Sequence, residues 1–380
     1  MTRKRELVFL ESLLTSGLDL MTQMPSVSEA MKRLVPSFSL SMIRVDERCA
    51  PRHHFSEHFD EVSHRLFAES GHAFSAATDD PAAFGNLLAP GRRPYGTLIE
   101  GGEAFVTGAT YQHLFARNGI HHVLDVAIRD RGGPLGILGI FRERDAPRFR
   151  QADVDIAAEL YPWLVHAFAA HRGAASREES RGLLEYDEVD SGLLVVKRSG
   201  LVVWASPGAR AWLEDASAGP ERGRLMDRPS HLPEACRALG AMLDAARRGK
   251  GIVPTLTLPL AGGRLRMRAY GLVADGETDG GDHFGVQLSL EMSRGLRVRT
   301  ALHLAGLSTQ QQRLALSIWQ NEPAHTIREK LGVSASTLKS YQKSLYVRLG
   351  VNSASELATT LDTQARALTF DLRRHLPRRG

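Results

Sequence analysis

The sequence predicts a multidomain chain: two α+β units built on antiparallel sheets, followed by an all-α unit of four short helices. Three observations predict it. The chain has 380 residues, more than a single hydrophobic core usually organises. Apolar runs of strand length, bounded by Gly- and Pro-containing turns, recur in two separate stretches. From Leu307 onward the pattern changes to short runs of helical period, punctuated by glycine. Composition, 43% hydrophobic and 24% charged, is that of an ordinary globular protein, and no apolar run approaches the ~18 residues of a membrane span.

The first unit is expected over residues 1–170. Helical periodicity covers Leu7 to Leu34, and a strand follows from Phe38 to Val45. A mostly helical middle runs to Asn118. Strands come next at His122 to Ile128 and Leu135 to Phe141, with Gly132, Gly133 and Pro134 marking the turn between them. Gln151 to His171 reads as an amphipathic helix, with Val154, Ile156, Leu160, Leu164, Val165 and Phe168 as its apolar set. Residues 171–182 carry little apolar content and read as a linker. The second unit spans 183–295. It opens with a hairpin, Gly192 to Val196 and Leu201 to Ala205, and continues with a helix near Pro233 to Arg248. Three strands complete it: Ile252 to Leu260, Arg264 to Val273 and Phe284 to Glu291.

The third unit, 300–365, has the punctuation of a helix-turn-helix. Pro323 suits the first turn of a bracing helix, because its missing N–H would be unsatisfied there anyway. Ile327 and Leu331 give that helix an inward face, Gly332 can end it in the left-handed conformation, and Ser334 can cap the next. In that next helix Leu338, Tyr341, Leu345 and Leu349 fall on one face. Ser336, Lys339, Ser340 and Lys343 fall on the other, where short hydroxyls permit close approach and lysines reach guanine edges or phosphates. Thr337 and Arg348 are expected to contact phosphate at either end. Charge agrees: residues 300–380 hold 11 Lys or Arg against 5 Asp or Glu, whereas the preceding residues hold 37 against 38. Residues 366–380 form a basic tail.

Over Leu307 to Leu361 the chain resembles the LuxR-type helix-turn-helix of bacterial transcription factors. The resemblance is carried by Leu307-Ser308, Ile327, Leu331-Gly332-Val333-Ser334, Thr337-Leu338-Lys339, Leu345 and Arg348-Leu349-Gly350-Val351. It implies that Thr337 to Leu349 is the DNA reader and Ser353 to Leu361 the dimer helix. The chain departs from the family at Gln311 and Thr326, where Glu is usual, at Asn321, where Gly is usual, and at Tyr341, where a polar residue is usual. The N-terminal unit resembles a GAF sensor through residues 118–168, and the second resembles a degenerate PAS domain through Ser191 to Leu213, with Ser206-Pro207 where Asn is usual. Such folds enclose apolar pockets or serve as dimerisation surfaces. Candidate pocket-lining residues are Tyr111, Phe115, Trp204 and Tyr270.

The resulting expectation is a homodimeric, cytoplasmic regulator whose front units control DNA binding in response to a small molecule. Its partners are an operator DNA, a second copy, the ligand and RNA polymerase, with no membrane. Alternative readings are front units that only dimerise or dock a protein, and an acyl-homoserine-lactone receptor, of which Asp80-Pro81 is the one echo. Histidines crowd residues 53–72, and His54 and His58 would share one helix face at a spacing that can hold a metal. No third ligand stands at fixed spacing, so no metal is expected. Cys49 and Cys236 form no CxxC, and GxSxG, GxxxxGK[ST], HExxH and a helix-opening GxGxxG are missing from the sequence. No enzyme activity and no cofactor are expected.

Overall fold

The computed structural model describes residues 3–57, 79–170, 186–210, 231–247, 253–260, 263–273 and 281–368. Two antiparallel sheets are followed by a helical region. The expected N-terminal helical run divides into α1 (Arg3–Leu14) and α2 (Leu20–Leu34). The break has two causes. Gly17 takes a left-handed φ of 72°, and Asp19 caps α2 by accepting from Thr22 N at 2.9 Å.

The first sheet holds β1 (Ser39–Val45), β2 (Pro51–Ser56), β3 (Tyr95–Thr97), β4 (His122–Asp130) and β5 (Gly133–Arg142), in the order β2-β1-β5-β4-β3. One face sets Leu40, Leu124, Val126, Leu138 and Ile140 against α1, α2 and α3 (Gln151–Ala169). The other sets Ile43, Val123, Ala127, Ile137 and Phe141 against Leu98, Phe105, Tyr111 and Phe115. Burial on both faces explains why these strands read as continuous apolar runs. The stretch expected to be mostly helical holds two strands, β2 and β3, besides short helical turns such as Phe84–Leu87 and Glu103–Thr107. This corrects the histidine reading: His53 and His54 are consecutive residues of β2, paired with Arg44 and Ile43 of β1, and share no helix face. His58, His64 and His72 lie outside the described residues.

The second sheet holds β6 (Tyr186–Lys197), β7 (Val202–Ala205), β8 (Thr255–Leu260), β9 (Gly263–Gly271) and β10 (His283–Ser293), ordered β7-β6-β10-β9-β8. Counted within each unit, both sheets share one order: second, first, fifth, fourth, third strand. The inner face buries Leu194, Val196, Phe284, Val286 and Leu288 against Cys236, Leu239 and Leu243 of α4 (His231–Arg247).

A further helix, α5 (Arg294–Leu304), precedes the region from Leu307 onward, where the described residues hold four helices, as the sequence pattern predicts: α6 (Thr309–Trp319), α7 (Ala324–Leu331), α8 (Ala335–Leu349) and α9 (Ala354–Ala367). Val298 and Leu302 of α5 join Leu314, Ile318, Ile327, Leu338, Leu345, Leu357 and Leu361 in one core. The two departures Gln311 and Asn321 have physical accounts. Gln311 closes a capping box, its Oε1 accepting from Ser308 N at 3.0 Å while its own N–H donates to Ser308 Oγ at 3.3 Å. Asn321 has φ 55°, left-handed backbone that glycine adopts freely and Asn tolerates. Asn321→Val should therefore cost about 1–2 kcal/mol in thermal unfolding; an unchanged midpoint would show that the turn relaxes.

The helix α5 also packs on the other units. Leu296 lies in the core beneath α1 and α3, and the buried Arg299 guanidinium donates to Ser12 O at 2.9 Å and Gly295 O at 3.1 Å. The buried His303 ring stacks on Phe9 at 4.2 Å, with Glu6 Oε1 3.5 Å from its Nε2, and Arg5 donates to its carbonyl at 2.7 Å. Arg297 donates to Ala365 O at 2.9 Å and lies 3.4 Å from Asp187 of β6. Arg294 forms a two-point pair with Asp362 of α9, to which Trp319 also donates at 2.9 Å. Arg313 of α6 pairs with Glu11 of α1.

Candidate nucleic-acid interface

Gly332 and Gly350, with φ 64° and 68°, bound α8 on either side. Both reverse the chain at left-handed positions, as the sequence predicts for Gly332, and fix where the helix starts and stops. Ser334 Oγ caps it by accepting from Thr337 N at 3.2 Å. The buried residues of α8 are Leu338 and Leu345, with Tyr341, Tyr346 and Leu349 half-buried around them. Pro323 sits one residue before its expected place, at the N-cap of α7 rather than in its first turn.

The opposite face carries Ser336, Lys339, Ser340 and Lys343, all exposed. Among the described residues neither lysine makes a hydrogen bond or ion pair. Val347, 77% exposed, continues the same stripe. Ser336 to Val347 then runs about 16 Å along the helix at 1.5 Å per residue. The sequence reading missed Val347, although its spacing from Lys343 announces it. An exposed valine there can meet a thymine methyl. The hydroxyls nearest the start are engaged locally: Ser334 Oγ lies 2.9 Å from both Ser336 Oγ and Thr337 Oγ1. Thr337 is half-buried at the cap, and Arg348 is exposed but donates to Gly306 O at 3.0 Å.

The four candidate ligand-lining residues do not come together. Tyr111 and Phe115 are buried in the first unit around Phe105, and Tyr111 Oη lies 2.8 Å from His121 Nδ1. Trp204 and Tyr270 stand on the outer face of the second sheet, 68% and 40% exposed, which corrects their placement in an enclosed pocket. The period-two alternation identifies them as surface-directed once the inner set of β6 and β9 is known.

Two sets of buried polar groups also escaped the sequence reading. On α5, desolvation pushes Arg299 down to about 10 and His303 down to about 4, so the histidine is neutral near pH 7 and its contact with Glu6 is not an ion pair. In β4, Asp125 is 1% exposed, and among the described residues its carboxylate has no side-chain hydrogen-bond partner. Burial pushes it up to about 7, against the opposing pull of Arg92 at 3.7 Å. A lone acid inside the apolar run His122 to Ile128 was the available signal. Among the described residues there is no cluster of His, Cys, Asp or Glu suited to a metal, and no helix is long and apolar enough to cross a membrane.

No family model and no curated protein matches the chain. Solved structures similar to parts of it include the sensor region of a sensor histidine kinase, 18% identical with TM-score 0.17, covering 46% of this chain. Another is the phage VqmA–DPO complex, 13% identical with TM-score 0.20, covering 49% of this chain and 89% of that one. The chain spans 64% of the kinase sensor region, just under two thirds. At these TM-scores the likenesses bear on neither fold nor function.

Proposed function

We propose that this chain is a DNA-binding transcriptional regulator that acts by binding rather than by catalysis. In this reading α7 and α8 are the two helices of a LuxR-type helix-turn-helix, with α8 in the major groove. The observation that carries it is the exposed stripe Ser336, Lys339, Ser340, Lys343, whose lysines have no partner among the described residues, on a helix fixed by two left-handed glycines. Lysines left unpaired beside short hydroxyls form a surface with a polyanion as its natural complement. The front units are read as GAF-like and PAS-like sensor modules, supported by their shared strand order. Two copies of the chain would then present two readers to half-sites about one helical turn, roughly 34 Å, apart.

A genome-wide map of DNA bound by the full chain supplies the operator. On that operator Lys339→Ala or Lys343→Ala should weaken binding by about 1–3 kcal/mol for a base contact. A phosphate contact instead lowers the salt slope by about one for each lysine removed. Equal affinity and equal salt slope for wild type and both variants would remove the assignment.

A further inference from the structure

The outer face of the second sheet carries apolar side chains that are open to solvent. One row crosses four strands in register: Trp204 of β7, Val195 of β6, Gly285 of β10 and Tyr270 of β9. Leu193 stands in the next row, and Leu272 leans over Gly285, 3.3 Å from where a Cβ would be. Trp204 is 68% and Leu193 61% exposed, and Tyr270 and Leu272 are exposed as well. A strand with one wet face ordinarily alternates apolar with polar residues. Strand β6 is instead apolar on both sides, with Leu194 and Val196 inside and Leu193 and Val195 outside. The far end of the same face is finished differently. There the buried Glu291 of β10 holds both Arg264 and Arg266 of β9, with Arg264 Nε donating at 2.6 Å. A contiguous apolar patch left uncovered on a folded unit marks a contact surface.

The order of the row selects the occupant. Its two ends are aromatic, and its centre sets a valine beside a glycine. A two-fold axis running along the strands, between β6 and β10, exchanges the ends of the row. Trp204 of each copy then meets Tyr270 of the other, and Val195 of each meets Gly285 of the other. A two-fold contact has to match itself in this way, because one patch serves both copies. Aromatic pairs add to the apolar contact at both ends. Charge agrees: the same axis sets Lys197 opposite His283, Leu193 opposite Gln287, and Arg268 opposite Ser206, whose N–H donates to Leu193 O at 2.8 Å. No lysine or arginine of these rows faces another.

We propose that this face binds a second copy of the chain, through a two-fold contact in which Trp204 and Tyr270 of one copy close on Tyr270 and Trp204 of the other. The area is sufficient. Trp204, Leu193, Tyr270 and Leu272 leave about 400 Å² uncovered in each copy, and the half-buried border of Lys197, His283, Gln287 and Arg268 raises the total for the pair to about 1,200 Å², where specific interfaces begin. The choice of a second copy rests on the regulator reading above, in which two readers act together. The contact itself is measured without DNA.

Sedimentation of the full chain tests the surface. The wild type should be a dimer at micromolar concentration. Trp204→Glu and Leu193→Glu should each make it a monomer with an unchanged circular dichroism spectrum. Leu304→Glu, at an exposed leucine of α5, should leave it a dimer. Cross-linking tests the symmetry. In a Cys49→Ser background, chains carrying Trp204→Cys are mixed with chains carrying Tyr270→Cys and treated with a bismaleimide. A reagent of about 10 Å span matches the ~10 Å between facing sheets, whereas position 204 of one copy lies about 17 Å from position 204 of the other, three strand spacings away. The mixture should therefore cross-link and either chain alone should not. A monomeric wild type leaves the face to another occupant and overturns the contact. So does a dimer that survives both Trp204→Glu and Leu193→Glu, or cross-linking of the Trp204→Cys chain alone as strong as that of the mixture. Operator binding by the same preparations reports on the DNA reading separately. A dimer that binds no DNA keeps the contact and loses that reading, and a monomer that binds DNA does the reverse.

Discussion

Asp125→Asn should change the pH dependence of stability by about 3 kcal/mol between pH 4.5 and 7. The folded-state pKa of Asp125 is raised from 3.8 to about 7. Its contribution is therefore fully present below the unfolded value and is lost as pH rises through the folded one. His303 works in the opposite direction. Its folded pKa is lowered from 6.5 to about 4, so stability is present above 6.5 and is lost as pH falls toward 4. The two nearly cancel, and the wild-type chain should show a flat profile over this window. Removing the acid leaves the histidine alone, and the variant should gain stability steadily as pH rises. Urea unfolding at several pH values measures this, and parallel profiles for wild type and variant would mean that Asp125 does not titrate as its burial implies.

Phe9→Ala should cost about 3–5 kcal/mol. The ring is 4% exposed, sits in the core of the first unit, and stacks on His303 of α5. Truncation opens a cavity between α1 and α5, admits water to His303, and lets its pKa return toward 6.5. Chemical unfolding measures the first effect and the His303 ring shifts in NMR the second. A large loss of stability with His303 still near 4 would show that Arg5 and Arg33, not desolvation, hold the ring neutral.

What the sequence announced and what it withheld divide along physical lines. The cap of α8 and the left-handed stop of α7 are local features, decided within four or five residues, and Gly332 and Ser334 were read directly; the same local chemistry at Ser308 and Gly350 appears in the structure. The long strands β4 and β5 were legible because burial on both faces makes them continuous apolar runs. The short strands β2 and β3 were not: at the sheet's edges, β2 opens on Pro51 and β3 is three residues long with Gly96 at its centre, residue types that local propensity does not assign to strands. The packing of α5 was not legible either. Arg294, Arg297, Arg299 and His303 look like the solvated side of a surface helix, and only tertiary packing buries three of them. The exposed stripe of α8 was legible because exposure there follows from the apolar set opposite. The burial of Asp125 was not, because its surroundings are assembled from several strands.

The contacts of α5 imply that its position is quantised. A slip of one residue moves an α-helix by 1.5 Å and turns it by about 100°. Such a slip would withdraw Arg299 from the Ser12 carbonyl, Leu296 from the first core and Val298 from the last at the same time. Close-packed contacts of this kind do not stretch, so no gradual path connects one seating with the next. A change in the front units can reach α6–α9 through this helix only as a step, and the size of the step is set by the geometry of one helical residue.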